Sequence, residues 1–246
     1  MNRGDSGTRR PMLVSFSGID GAGKSTQIGI LHTRLRVCGV RVLRVVFWDE
    51  VAVLTRFRAF TSHALFKGDQ GIGTPANPLN RRDKNVRSWY MTPLRFFLYF
   101  LDAVSVTFVV AKMLRSNADV VIFDRYVYDE LANLSPNNPI THAYIRFLLA
   151  LVPSLDIAYL LDADPVQARE RKPEYPLEFL QVNRASYLAL SQRVGVMRVI
   201  NPLSPPDVAR HVMDEMSKNL TLGPGQTMLQ ASSTTSLITV ASSGDS

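Results

Sequence analysis

The chain has 246 residues, 46% of them hydrophobic and 20% charged, enough to bury one sizeable core of one or two lobes. Lysine and arginine number 28 against 21 acidic residues, a net charge of +7. Several of these cations fall in Arg3, Arg9 and Arg10 and around Arg81, Arg82 and Lys84, both predicted loops. An enzyme that handles nucleotide phosphates needs cations of its own, so the balance does not call for a nucleic-acid partner. The one cysteine, Cys38, excludes an internal disulfide and suits a reducing compartment. It sits at the apolar end of a predicted helix, as a small core residue would.

The opening MNRGDSGTRRPM lacks the apolar run of a signal peptide, and residues 1–11 read as a flexible N-terminus. Met12 to Phe16 is a short apolar run that ends at glycines, the pattern of a buried strand. Lys24 to Val37 carries Ile28, Leu31 and Leu35 at helical spacing, and Gly39 closes that helix. Val40 to Trp48 predicts a second strand and Ala52 to Phe66 a further helix. Residues 67–85, with glycines, prolines and basic residues, predict a long loop. Pro93 suits the first turn of a helix that runs over 94–115 and is apolar nearly all round. Its most apolar part, Phe96 to Ala111, is bracketed by Arg95 and Lys112 and interrupted by Asp102. That part is shorter than the roughly 20 residues of a membrane span, so a buried helix and no membrane are expected.

Asp119 to Asp124 predicts a third strand with an acid at its carboxyl end. A helical region broken at Ser135-Pro136-Asn137-Asn138-Pro139 continues to Val152. Leu155 to Leu161 and Val196 to Ile200 predict the fourth and fifth strands. Pro176 to Val194 and Pro205 to Leu220 predict the last helices. Residues 221–246, rich in serine and threonine, lack a helical stripe and read as a disordered tail. Strands alternating with helices give an α/β, three-layer P-loop NTPase fold over residues 12–220, with a parallel five-stranded sheet flanked by helices.

Gly18-Ile19-Asp20-Gly21-Ala22-Gly23-Lys24-Ser25 follows a predicted strand and opens a predicted helix, the context a Walker A phosphate loop needs. Its glycines let backbone amides turn in around phosphate oxygens, and the helix behind offers its positive end. Lys24 is expected at the β- and γ-phosphates, the Ser25 hydroxyl on Mg2+, and Thr26 in support. No base-reading motif of a GTPase is present, so the expected donor is ATP.

Phe16-Ser-Gly-Ile-Asp-Gly-Ala-Gly-Lys-Ser-Thr-Gln27, with its acid Asp20, resembles the phosphate loop of thymidylate kinases. Asp124-Arg125-Tyr126 matches that family's Asp-Arg-Tyr signature. Tyr159-Leu-Leu-Asp162-Ala-Asp-Pro165 resembles its fourth strand and following turn, and Asn201 stands in its nucleotide-base loop. The likeness runs in order over residues 12–215. It implies that Asp124 holds magnesium through water or meets the acceptor, and that Arg125 and Tyr126 bind the acceptor. It also implies a lid over 168–175, in which Arg171 and Arg169 supply the catalytic arginine, since Gly21 stands where type-one members carry one. Phe100 matches the phenylalanine that stacks on thymine. Two positions depart from the family. Val104 stands where it has a phosphate- and base-contacting arginine, for which Arg95 is the substitute considered. After the second strand the chain reads Asp49-Glu50 in place of an Asp/Glu-Pro segment with arginine.

The leading expectation is therefore a cytoplasmic nucleoside monophosphate kinase that uses ATP and Mg2+ on dTMP or a related nucleotide, with helix 94–115 as a possible homodimer face. A deoxynucleoside kinase is the alternative, with Asp49 or Glu50 as base toward a sugar hydroxyl. A third is a nucleotide-binding regulatory protein with little turnover.

Overall fold

The computed structural model describes residues 10–52, 91–134 and 138–219. Residues 1–9 of the expected flexible start, most of the helix from Ala52, the loop 67–85, the break at 135–137 and the tail lie outside the described residues. The last two residues of that start are held instead: Arg10 pairs with Asp156 at 2.5 Å and Pro11 is buried. Ala52 itself is extended and follows a π-helical turn, Phe47–Val51, at the end of the second strand.

Five strands, β1 (Met12–Ser17), β2 (Val42–Val46), β3 (Val120–Asp124), β4 (Ile157–Leu161) and β5 (Met197–Ile200), form one sheet in the order β2-β3-β1-β4-β5. All four pairings are parallel. The helices are α1 (Lys24–Val37), α2 (Met91–Leu114), α3 (Val127–Leu131), α4 (Pro139–Leu151), α5 (Pro165–Arg171), α6 (Leu177–Ser191) and α7 (Pro205–Asn219). The expected α/β architecture, a parallel five-stranded sheet between helical layers, is what the chain adopts.

Residue alternation along the strands divides the core in two. Met12, Val14, Phe16, Val120, Ile122, Tyr159 and Leu161 face α1 and α7, meeting Ile28, Leu31, Leu35, Val212 and Met216. Leu13, Val45, Val121, Phe123, Ala158 and Leu160 face the opposite layer, with Ala103, Val106, Leu131, Leu148, Leu180 and Tyr187. Burial on both faces is why β1 and β4 read as near-continuous apolar runs. Because β3 and β4 both flank β1, the strand order reverses at β1. The crevice beyond the carboxyl ends of β1, β3 and β4 is thus the natural ligand site of such a sheet.

Two expectations change. Helix α2 is 24 residues long, with Met91 and Leu114 extending the apolar stretch past Arg95 and Lys112. Length and composition alone therefore suffice for a span, and about a third of its most apolar window is buried. The helix is not apolar all round in its packing either. Leu98, Asp102, Ala103, Val106 and Val110 are buried, while Phe97 and Phe108 are exposed. Of the segment expected as the lid, residues 168–171 lie in α5 and residues 172–175 follow outside it. Asp164 caps α5 by accepting from the Val166 and Gln167 amides, and Pro165 occupies its first turn. Arg169 and Arg171 thus sit in the last turn of α5, and Pro173 follows where the helix has stopped.

Candidate active site

The phosphate loop links β1 to α1 through two backbone positions that require glycine. A Cβ on Gly18 (φ 142°) would stand 2.6 Å from the Leu161 carbonyl oxygen. On Gly21 (φ 85°) it would stand 2.1 Å from that of Ala168, in α5. The loop is therefore pressed against β4 and the lid helix, and no side chain fits at residue 21 in this arrangement. Gly23, at the N-cap of α1, has no capping side chain, so the first-turn amides remain open to an anion. Lys24 is buried, and its Nζ donates to the carbonyls of Gly18 (2.7 Å) and Ile19 (2.8 Å), bracing the loop from within. Ile19 is buried, Ala22 half-buried, and Ser25 and Thr26 are exposed in the first turn.

At the end of β3, Asp124 and Arg125 take opposite sides of the sheet. Asp124 Oδ2 accepts from Arg44 Nη2 of β2 at 2.5 Å. Magnesium fits the remaining oxygens. The Ser25 hydroxyl and Asp124 Oδ1 have no protein hydrogen bond among the described residues, and a hard cation of this size is commonly held by one or two protein oxygens with phosphates and water. The described residues contain no group of three His, Cys, Asp or Glu that would cage a metal without phosphates.

Arg125 carries φ 73°, the left-handed region that a side chain rarely adopts. This turn swings its guanidinium to the loop, where Nη2 donates to Asp20 Oδ1 at 2.6 Å and Nη1 lies 3.5 Å from Asp129 Oδ1. Burial opposes the charge on Arg125, but Asp20 and Asp129 outweigh it, so its pKa stands above its ordinary value. Asp20 and Arg125 are thus in contact. Sequence reasoning missed Asp129, which is buried on α3 and accepts from Ser17 Oγ at 2.7 Å, Tyr187 Oη at 2.8 Å and the Tyr126 amide at 3.1 Å. Its only signal was an acid one helical turn past Arg125.

Beside the loop lies a cleft of about 650 Å³, where the donor is expected, lined by Gly23, Thr26, Gln27, Asp162, Asp164, Gln167, Arg171 and Asn201 to Pro205. Asn201 is exposed at this cleft, and Gln27 Nε2 donates to the Pro205 carbonyl at 2.9 Å, tying the loop after β5 to the phosphate helix. Asp162 is held by Arg184 of α6 through two bonds of 2.6 and 2.7 Å. Arg171 reaches the Gly21 carbonyl and Gln167 Oε1, each at 3.4 Å. Arg169 turns another way. It is half-buried, with a buried Nε that has no partner among the described residues.

The other residues expected at the acceptor are not gathered around Arg125. Tyr126 is fully buried, and its hydroxyl donates to the Pro153 carbonyl at 2.7 Å, so it pins the corner after β3 rather than facing a ligand. Phe100 lies on the flank of α2 opposite the buried Leu98 and Asp102 and stacks on Phe147 of α4, ring centroids 6.2 Å apart. Asp49 and Glu50 are both exposed, and Glu50 Oε1 accepts from the Val46 amide at 3.0 Å, closing the π-helical turn. Arg95 and Val104 are both half-buried on α2.

No protein-family model matches the chain. Among solved structures, a thymidylate kinase from Ehrlichia chaffeensis superposes with a TM-score of 0.54 at 19% identity, covering 85% of this chain and 99% of that one. The fold is thymidylate-kinase-like. In this thymidylate-kinase-like sheet the loop, Asp124, Arg125 and the donor cleft all converge on the crevice where the strand order reverses.

Proposed function

We propose that the protein is an ATP-dependent nucleoside monophosphate kinase, transferring the γ-phosphate of ATP to the phosphate of dTMP or a related nucleotide. The observation that carries this reading is the contact between Arg125 and Asp20, an always-charged fork held against the phosphate loop itself. An acceptor that arrives as a phosphate needs such a fork beside the transferred group, because phosphoryl transfer is chiefly positioning and neutralisation of charge. A hydroxyl acceptor needs a base instead, and the candidates Asp49 and Glu50 both lie exposed at the turn after β2.

In this reading the loop amides and Lys24 hold the donor phosphates, and the cleft ending at Asn201 takes the base and ribose. Ser25 and Asp124 would hold magnesium, whose charge would neutralise that of the donor phosphates. Arg125 orients the acceptor phosphate and Arg171 reaches the transferring group from α5. The kinase domain is taken as residues 12–220. The exposed Phe97 and Phe108 of α2 and Phe147 of α4 support a homodimer through that face.

The experiment is a panel of nucleosides and nucleoside monophosphates with Mg·ATP, run on wild type, Arg125→Ala and Glu50→Gln. Turnover of monophosphates that is lost in Arg125→Ala and kept in Glu50→Gln is the expected result. Turnover of nucleosides alone would replace this reading with the hydroxyl-directed one.

A further inference from the structure

Arg125 is held by two carboxylates of different standing. Asp20 belongs to the loop that lies against the bound phosphates in the proposed function, whereas Asp129 belongs to α3, packed in the core with 2% exposure. A carboxylate buried that deeply needs hydrogen bonds around it. Asp129 has that shell, from β1 (Ser17 Oγ), the β3–α3 corner (Tyr126 N) and α6 (Tyr187 Oη). Tyr187 is 3% exposed, burial followed by the Asp129 charge raises its phenol well above its ordinary value, and its hydroxyl donates to Asp129 Oδ1 at 2.8 Å.

We propose that Asp129, oriented by Tyr187 and Ser17, is the positioning residue for Arg125, keeping the guanidinium aimed at the acceptor when Asp20 releases it. The inference rests on the reading that Arg125 meets the acceptor phosphate. Two features of the geometry drive it. Arg125 occupies a strained left-handed backbone position, and such a position persists only where its surroundings over-determine it. An incoming phosphate also competes with Asp20 for the same fork, and Asp129 is the anion that stays. Tyr187 further extends the support to the donor side. The same helix carries Arg184, bound to Asp162 of the donor cleft, and Asn183, whose Nδ2 donates to Asn133 Oδ1 at 3.1 Å just beyond α3. One rigid element therefore spans the donor wall and the acceptor arginine.

The test uses the full chain with Tyr187→Phe, which removes one hydroxyl, and Asp129→Asn, which removes the charge. Steady-state kinetics are measured with the monophosphate of highest turnover, ATP affinity by titration with a non-hydrolysable analogue, and guanidinium rotation by side-chain 15N NMR with Arg125→Lys for assignment. Asp129→Asn is expected to lower kcat/KM for the acceptor on the order of 10–100-fold, the share of a buried ion pair, with analogue affinity unchanged. Tyr187→Phe is expected to lose less in the same parameter, and the double variant no more than Asp129→Asn alone. The Arg125 Nη signals, restrained in wild type, are expected to average in Asp129→Asn.

Unchanged acceptor kinetics and unchanged Arg125 signals in a folded Tyr187→Phe protein overturn the proposal, as does an equal loss of analogue affinity. If Asp129→Asn does not fold, Tyr187→Phe carries the test. If Arg125→Ala keeps full acceptor use, the functional reading itself falls. If Arg125→Ala is inactive while both other variants behave as wild type, only the positioning role falls.

Discussion

Gly21 illustrates how far one residue constrains this site. Its φ of 85° and the 2.1 Å that would separate an added Cβ from the Ala168 oxygen leave a choice between a bare loop and a displaced lid helix. Gly21→Val is therefore expected to push α5 off the loop. kcat should fall by at least about tenfold, since a shift of order 1 Å at a reacting group is worth that much or more. A drop in kcat with the fold retained by circular dichroism checks this, and wild-type kcat would show that the loop adapts. The phosphate loop was legible because every position has a chemical reason that survives in one dimension: glycines for amide access, Lys24 for charge, Ser25 for a hard cation. Asp129 was not legible, because its role arises from Ser17, 112 positions away, and Tyr187, 58 positions away. Tyr126 misled for the complementary reason. It belongs to a motif read as ligand-binding, yet its corner needs a buried ring tied to Pro153.

Among the helices, α5 is the one not anticipated from the sequence. Asp164 and Pro165 nucleate a helix, which sets Arg169 and Arg171 two residues apart on different faces. Arg171, one turn past Gln167, lines the donor cleft and meets the Gly21 carbonyl. Arg171→Ala is therefore expected to lower kcat by about 10³-fold while ATP affinity changes little, as for an arginine engaged mainly in the transition state. Arg169→Ala should lose far less. The reverse order, or equal losses in binding and rate, would move the catalytic arginine elsewhere. Helix α2 shows the limit of apolar periodicity. Its sequence is apolar on every face, so only the folded neighbours decide that Asp102 and Val106 turn inward while Phe108, 73% exposed, turns out.

At the scale of the molecule, strand alternation with helices was enough to anticipate a parallel sheet, but not the order that brings β3 and β4 to either side of β1. That order turns four separated motifs into one site. The exposed phenylalanines of α2 and α4 bear on assembly. If they form the proposed homodimer face, sedimentation should give a dimer mass for wild type and a monomer for Phe108→Asp, and a wild-type monomer at all concentrations would remove the proposal.

The account turns on where the phosphoryl group lands, and 31P NMR of the product reads this directly. Wild type is incubated with Mg·ATP and each monophosphate or nucleoside in turn. Transfer to an acceptor phosphate yields ADP and a nucleoside diphosphate, seen as a new coupled α/β pair, and Lys24→Ala should abolish it. A new uncoupled phosphomonoester formed from a nucleoside, with the monophosphates left untouched, would contradict the account.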